Sequence, residues 1–323
     1  MSHVHGIGMS HVHGIHHVTC IAGDPQENLD FYTGVLGLRL VKKSVNQDVP
    51  NTYHLFYADA AGTPGTDLTF FPWPDMPPAR AGIGLAMEVA FAIRPGSLAW
   101  WQAHLAGHDV AVEDAETRFG EPVLTFRDPH GLPLALVETT RERPWVAWDR
   151  SAVPVDHQLR GMDAVRLWQR DRAECGRFLQ SVLGMERVGE EDGWERFAVP
   201  GRAAGTIVDV REVPGMARGA WGTGGIHHVA WRVPDDAAEL LMRERVESAG
   251  RRPTPPIDRF WFRSVYFLEP GGVLFELATD GPGFARDEAA DQLGELLILP
   301  PWLEASRAEI EAALPPLTTP REA

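Results

Sequence analysis

Cysteine is nearly absent: the 323 residues contain two, Cys20 and Cys175. Two thiols cannot build the disulfide framework of a small secreted domain, so a hydrophobic core has to hold the chain together. Basic residues are scarce beside acidic ones, 30 against 45 for a formal net charge of −15, and they are scattered. The basic stripe that tracks a phosphate backbone is missing, which argues against nucleic acid as a partner. No apolar run is long enough to span a bilayer or resembles the hydrophobic stretch of a secretory signal. No membrane partner is expected, and a reducing, cytoplasmic location is the default.

What is there suits a protein that acts on a small molecule. With 44% hydrophobic residues the chain can bury one or two substantial cores, and its length exceeds one typical domain. The segment MSHVHGI occurs twice in succession, from Met1 and from Met9. Its alternating His3, His5, His11 and His13 have no packed shell to fix a coordination geometry, so residues 1–13 are expected to be a disordered, duplicated start outside the site.

Beyond residue 13 one unit recurs. After GIHHVTCIA, Asp24 stands as an N-cap, Pro25 at the first helical position and Glu27 in the capping-box place. The helix runs through Leu29, Tyr32 and Leu36 to a stop at Gly37, and YHLFYAD and TDLTFF follow as strands. The same order returns later, with Phe178 to Met185 (FLQSVLGM) echoing Phe31 to Leu38 (FYTGVLGL). Four units result, near 14–72, 84–139, 161–212 and 224–279, separated by the Pro-rich stretches FPWPDMPP and RPWVAWDRSAVPVDH. The fold class expected is α+β, with four βαβββ modules paired into two cup-shaped, partly open barrels. The domains expected are 14–145 and 155–282, each of two modules, followed by a tail at 283–323 with a helix over Leu303 to Leu314.

Units one and four open with nearly the same words, GIHHVT at Gly14 to Thr19 and GIHHVA at Gly225 to Ala230. Strand side chains alternate faces, so one histidine of each pair points into a cup. Val18 and Cys20 share a face with His16, and Val229, Trp231 and Val233 share one with His227, which assigns those faces to the helices. His17, Thr19, His228 and Arg232 then face inward, and folding units one and four together brings His17 and His228 to a common centre. Two neutral imidazoles usually want a carboxylate as well, and Glu276 stands inside the apolar run GGVLFELATD, costly there unless paired or metal-bound. Unit two has Ala135 in the place of Glu276, and unit three has Ala164 in the place of His17. A lone buried histidine is more often a satisfied core residue. Two matched pairs with a buried glutamate instead fit a 2-His-1-carboxylate triad. The competing Glu138 ends its strand and reads as solvated, His54 as a cross-strand core residue, and His104 and His108 as helix-end surface.

At these residues the sequence resembles the vicinal-oxygen-chelate superfamily, and within it the ring-cleaving dioxygenases that open para-hydroquinones. The resemblance runs over nearly the whole chain, through GIHHVT, LVKKSV, YHLFYAD, GTPGT, TRFG, GIHHVAW and EPGGVLFE. It implies Fe(II), with Mn(II) as the alternative, bound by His17, His228 and Glu276, the three that parity selects. It implies further site residues at His16, Thr19, His227, Arg259 and Tyr266, a small aromatic substrate, O2 as co-substrate, and cleavage beside a ring hydroxyl. Three ligands on one face leave three positions open for a substrate hydroxyl and dioxygen. Arg259 would then stabilise developing negative charge, Tyr266 donate a hydrogen bond and His227 exchange a proton, with Phe260 to Phe262 walling the pocket. Catechol extradiol cleavage shares the ligand set. A glyoxalase-like isomerase would need a second glutamate where Thr69 stands, and a bleomycin-resistance-like binding protein would need no triad. A homo-oligomer is compatible with all of these readings.

Overall fold

The computed structural model describes residues 12–201 and 205–319. His3, His5 and His11 lie outside these described residues. Unit one consists of β1 (Ile15–Ala22), α1 (Pro25–Asp30), β2 (Arg39–Val45), β3 (Tyr53–Ala58) and β4 (Asp67–Pro72). Unit two follows with β5 (Leu85–Ile93), α2 (Leu98–Gly107), β6 (Glu116–Arg118), β7 (Glu121–Arg127) and β8 (Pro133–Glu138). Unit three holds β9 (Met162–Gln169), α3 (Arg172–Ser181), β10 (Glu186–Glu191), β11 (Trp194–Ala198) and β12 (Ile207–Glu212). Unit four holds β13 (Ile226–Val233), α4 (Asp236–Ser248), β14 (Ile257–Asp258), β15 (Arg263–Leu268) and β16 (Leu274–Thr279).

The helices start where their caps stand. Asp24 Oδ1 accepts from the backbone N–H groups of Gln26 and Glu27, Asp171 caps α3, and Asp235 caps α4. Helix α1 winds into a π-helical turn over Phe31–Val35 before Gly37, at φ +70°, ends it. Ser97 makes no side-chain cap for α2; Glu138 supplies it instead, accepting from Leu98 N at 2.7 Å. Glu138 is therefore a cap, not a solvated carboxylate.

Two eight-stranded sheets result, ordered β14-β15-β16-β13-β1-β4-β3-β2 and β10-β11-β12-β9-β5-β8-β7-β6. The first is built by units one and four, the second by units two and three. Each of the expected halves, 14–145 and 155–282, thus places one unit in each sheet. Antiparallel pairs, β1 with β13 and β5 with β9, form the two centres. Val18, Cys20, Val229, Trp231 and Val233 join the main core, as their alternation requires. The concave faces carry separate apolar clusters, around Phe56, Trp261 and Phe262 in the first sheet and around Ala90, Ala135 and Ala164 in the second. Gly14, at φ +125°, lies where β1 passes the other sheet; a Cβ there would meet the Gly205 carbonyl oxygen at 2.7 Å.

The chain after unit four closes one side of the first cup. Phe284 and Leu293 pack into its concave cluster. The fully buried Lys42 reaches out of β2 to Asp287 Oδ1 at 2.8 Å, to Glu288 and to the Phe284 carbonyl. The tail helix is shorter than expected, a 3-10 turn at Glu304–Ser306 leading into α5 (Arg307–Ala313), and Ile310 covers Val45 at the β2 edge. No helix among the described residues is long and apolar enough to cross a membrane.

Candidate metal centre

The strands that bring the two histidine pairs together are irregular at the pairs themselves. Ile15 pairs with Trp231 but His17 with Ala230, so His16 is one residue too many and bulges from the ladder. Thr19 pairs with His228 and Cys20 with Ile226, leaving His227 as a second bulge. The bulges overturn the alternation expected for the first histidine of each pair. The His16 ring lies beside His17, Nδ1 to Nδ1 at 2.9 Å, with Phe262 at 5.2 Å from both rings. His227 approaches His228 in the same way at 2.8 Å and stacks on Trp221.

His17 Nε2, His228 Nε2 and Glu276 Oε2 converge. The separations are 3.3 Å between the histidines, 3.3 Å from His17 to Glu276 and 2.9 Å from His228 to Glu276. All three residues are buried. Nitrogen and oxygen donors each about 2.1 Å from one ion and at right angles to each other would lie about 3 Å apart, so the triangle fits a facial metal site. The donor chemistry agrees. Glu276 Oε1 accepts from Ser264 Oγ at 2.5 Å, while Oε2 is buried with no hydrogen-bond donor and faces the two imidazoles. Burial opposes its ionisation, but the His17 and His228 imidazoles outweigh burial and hold the carboxyl well below the usual range.

The outer histidines complete this arrangement. An imidazole that binds metal through Nε2 keeps its proton on Nδ1 and has to hand it to an acceptor. His16 and His227 present Nδ1 at that place. Burial, and next the neighbouring His17 or His228, lowers each to a pKa of about 3, so both are neutral acceptors.

The remaining candidates surround the triangle. Tyr266 pairs directly with Glu276 across β15 and β16, its ring 5.6 Å from that of His228. Burial and the Glu276 charge push its phenol upward, so it stays a proton donor. Arg259 lies with its guanidinium carbon 5.4 Å from the Tyr266 ring centre and bridges to the exposed Asp48 at 3.0 Å, combining a place in the pocket with an ion pair at its mouth. Gln47 Nε2 donates to the Arg259 carbonyl at 2.9 Å. The Thr19 hydroxyl bonds that of Thr69 at 2.8 Å, and Thr69 in turn bonds His54 Nε2 at 3.0 Å. His54 is therefore a wall of the pocket, beside Phe56 and Phe71. Its signal was the parity it shares with Phe56. Ser264 was missed although the same parity with Tyr266 places it inward. Trp261 and Phe262 line the pocket as expected, whereas Phe260 packs toward Arg286 and Trp302. His104 Nε2 donates to the Val35 carbonyl at 2.8 Å, away from the pocket, and, with His108, takes no part.

The family model described as Glyoxalase/Bleomycin resistance protein/Dioxygenase superfamily matches residues 14–136 and 161–277. The chain belongs to this superfamily. Within it the chain is an enzyme, a dioxygenase: it is 41% identical over 303 residues to MhqO of Bacillus subtilis, named as a ring-cleaving dioxygenase, covering 94% of this chain and 96% of the relative. It is 31% identical over 305 residues to a chlorohydroquinone/hydroquinone 1,2-dioxygenase of Sphingobium indicum, covering 93% and 95%. A crystal structure of a dioxygenase from Bacillus subtilis superposes with a TM-score of 0.90 at 40% identity, covering 95% of this chain and 98% of that one.

Proposed function

We propose that the enzyme opens the ring of a para-hydroquinone beside a hydroxyl, using dioxygen and an Fe(II) ion held by His17, His228 and Glu276. The observation that carries this reading is the triangle of two Nε2 atoms and one orphaned carboxylate oxygen, none more than 3.3 Å from the next, exposed to an aromatic-walled pocket. Iron bound there would supply the Lewis acidity and the electron transfer to dioxygen that side chains cannot. The chain's own residues do the rest. Phe56, Phe71, Trp261 and Phe262 flank a flat ring and exclude water. Tyr266, opposite Glu276, would donate a hydrogen bond to a substrate oxygen, and the Arg259 cation beside it favours negative charge on the substrate. Polar groups lie both at the floor and at the mouth, where Asn46, Gln47 and Asp48 stand, so each end of a para-diol has a partner. This arrangement favours a para-diol over catechol, which presents both hydroxyls to one end, and the hydroquinone named for the Sphingobium relative supports it.

The test is anaerobic reconstitution with Fe(II), followed by oxygen uptake on hydroquinone, methylhydroquinone, chlorohydroquinone and catechol. Uptake stimulated by the para-diols is expected. Turnover of catechol alone would replace the substrate assignment, and no uptake with any diol in protein that retains iron would sink the reading. Mn(II) in a parallel reconstitution separates the two metals.

A further inference from the structure

A second cleft, of about 360 Å³, lies between the second sheet and the segments 78–81 and 223–226. Three of its lining side chains stand where the register puts His228 and His54, which line the first pocket, and Thr19 beside them. Glu88 pairs with Arg166 as His228 pairs with Thr19, and Trp194 precedes Arg196 by two residues as His54 precedes Phe56 on the matching strand. The cleft is thus the counterpart of the reaction pocket, lined by different chemistry.

That chemistry is cationic and aromatic. Arg80, Arg127, His130 and Arg166 line the cleft, against one carboxylate, Glu88. Glu88 is already engaged by Arg118, through 2.5 and 3.1 Å contacts, and the neighbouring Asp209 by Arg196 at 2.7 and 2.8 Å. Arg166 sits between these two pairs, in loose ion-pair range of both carboxylates. Its Nε is buried without a hydrogen bond, 3.7 Å from Glu88 and 3.6 Å from Asp209, while the guanidinium stacks on Trp194 at 4.3 Å. The His130 side chain is 7% exposed and its Nδ1 has no partner, its Nε2 lying 3.0 Å from Glu27. A cleft with more cations than carboxylates, one guanidinium of which lies flat on an indole, is matched by an anion on a flat body.

We propose that this cleft binds a small planar carboxylate, its charge among Arg80, Arg127 and Arg166 and its ring against Trp168. The volume falls in the range of small-molecule pockets, about 300–1,000 Å³. The site is separate from the proposed metal centre and does not depend on it.

Benzoate is the probe, titrated calorimetrically into the metal-free full-length protein, with benzyl alcohol as the uncharged ring of the same shape. Saturable benzoate binding is expected, with none for benzyl alcohol. Arg166→Gln should weaken it by about tenfold or more, as loss of a charge-assisted bond does. Should Arg166→Gln fail to fold, the exposed rim variant Arg127→Ala decides, with a several-fold weakening expected. Arg259→Gln and His228→Ala, both in the first cup, should leave benzoate affinity unchanged. The proposal is overturned if millimolar benzoate does not bind, if benzyl alcohol binds as well, or if affinity follows Arg259→Gln and ignores both arginines of the second cleft.

Discussion

The two sheets share strand order, central register and even irregularities, yet among the described residues only one cup brings together a group of side chains that could hold a metal. Ala230 faces His17 and Glu276 in the first sheet; Ala90 faces Ala164 and Ala135 in the second. The bulges recur as well: Met87 stands where His227 does and Asp163 where His16 does. Bulges are thus a property of the fold, and histidines stand on them in one copy. In the second cup Asp163 is gripped by both oxygens from Arg141, at 2.9 and 2.8 Å, and small apolar side chains fill the space of the ligands. The same backbone therefore supports a coordination site or an ion-pair lattice, according to which residues stand at a few inward positions.

The comparison is broken most strongly at Glu276. Glu276→Gln keeps shape but removes the charge that offsets a divalent ion, so bound iron and oxygen uptake should both fall to background while the thermal midpoint survives. Normal iron content with normal turnover would refute the triad. In the second cup the mirror change, Asp163→Asn, should leave iron untouched and cost up to about 3 kcal/mol in denaturant unfolding, because Arg141 loses its buried partner.

Ser264→Ala sharpens the comparison within the first cup. It removes the donor that orients Glu276, so iron affinity measured by competition with a chelator should drop by roughly 10–100-fold with little change in fold. An unchanged affinity would make the Ser264 bond incidental.

Acid should also act on the first cup. His16 and His227, at a pKa of about 3 in the fold, bind fewer protons than in the unfolded chain, where they titrate near 6.5. Their contribution to the stability of the metal-free protein is full above pH 6.5 and is lost progressively as pH falls toward 3. Replacing both by Gln should flatten that part of the stability profile; a profile that keeps its slope would assign the titration elsewhere. The smallest effect belongs to Asp48→Asn, since this exposed partner of Arg259 contributes at most about 1 kcal/mol, read as a shift in thermal midpoint.

Much of this was legible in the chain. The repeated GIHHV, the glutamate inside an apolar strand and the alanines that replace both in the other units point to His17, His228 and Glu276 and to the meeting of units one and four. Helix starts at Asp24 and Pro25 were equally plain, because a cap acts within one turn. His16 and His227 were placed on the wrong face, because period-two alternation assumes an unbroken ladder. A bulge exists only relative to the strand opposite, some two hundred residues away. For the same reason the tail's burial of Lys42 and the capping of α2 by Glu138 could not be read locally.

The sequence by itself determined which side chains are the candidates for the chemistry and how often the unit repeats, since residue identity and local capping need no distant partner. Only the tertiary structure decided that each half of the chain feeds both sheets, that two bulges turn the outer histidines toward His17 and His228, and that a second cleft stands at matching register with different chemistry. Those features arise from register and packing between strands far apart in the chain, where a single unpaired residue reverses the face of every side chain before it.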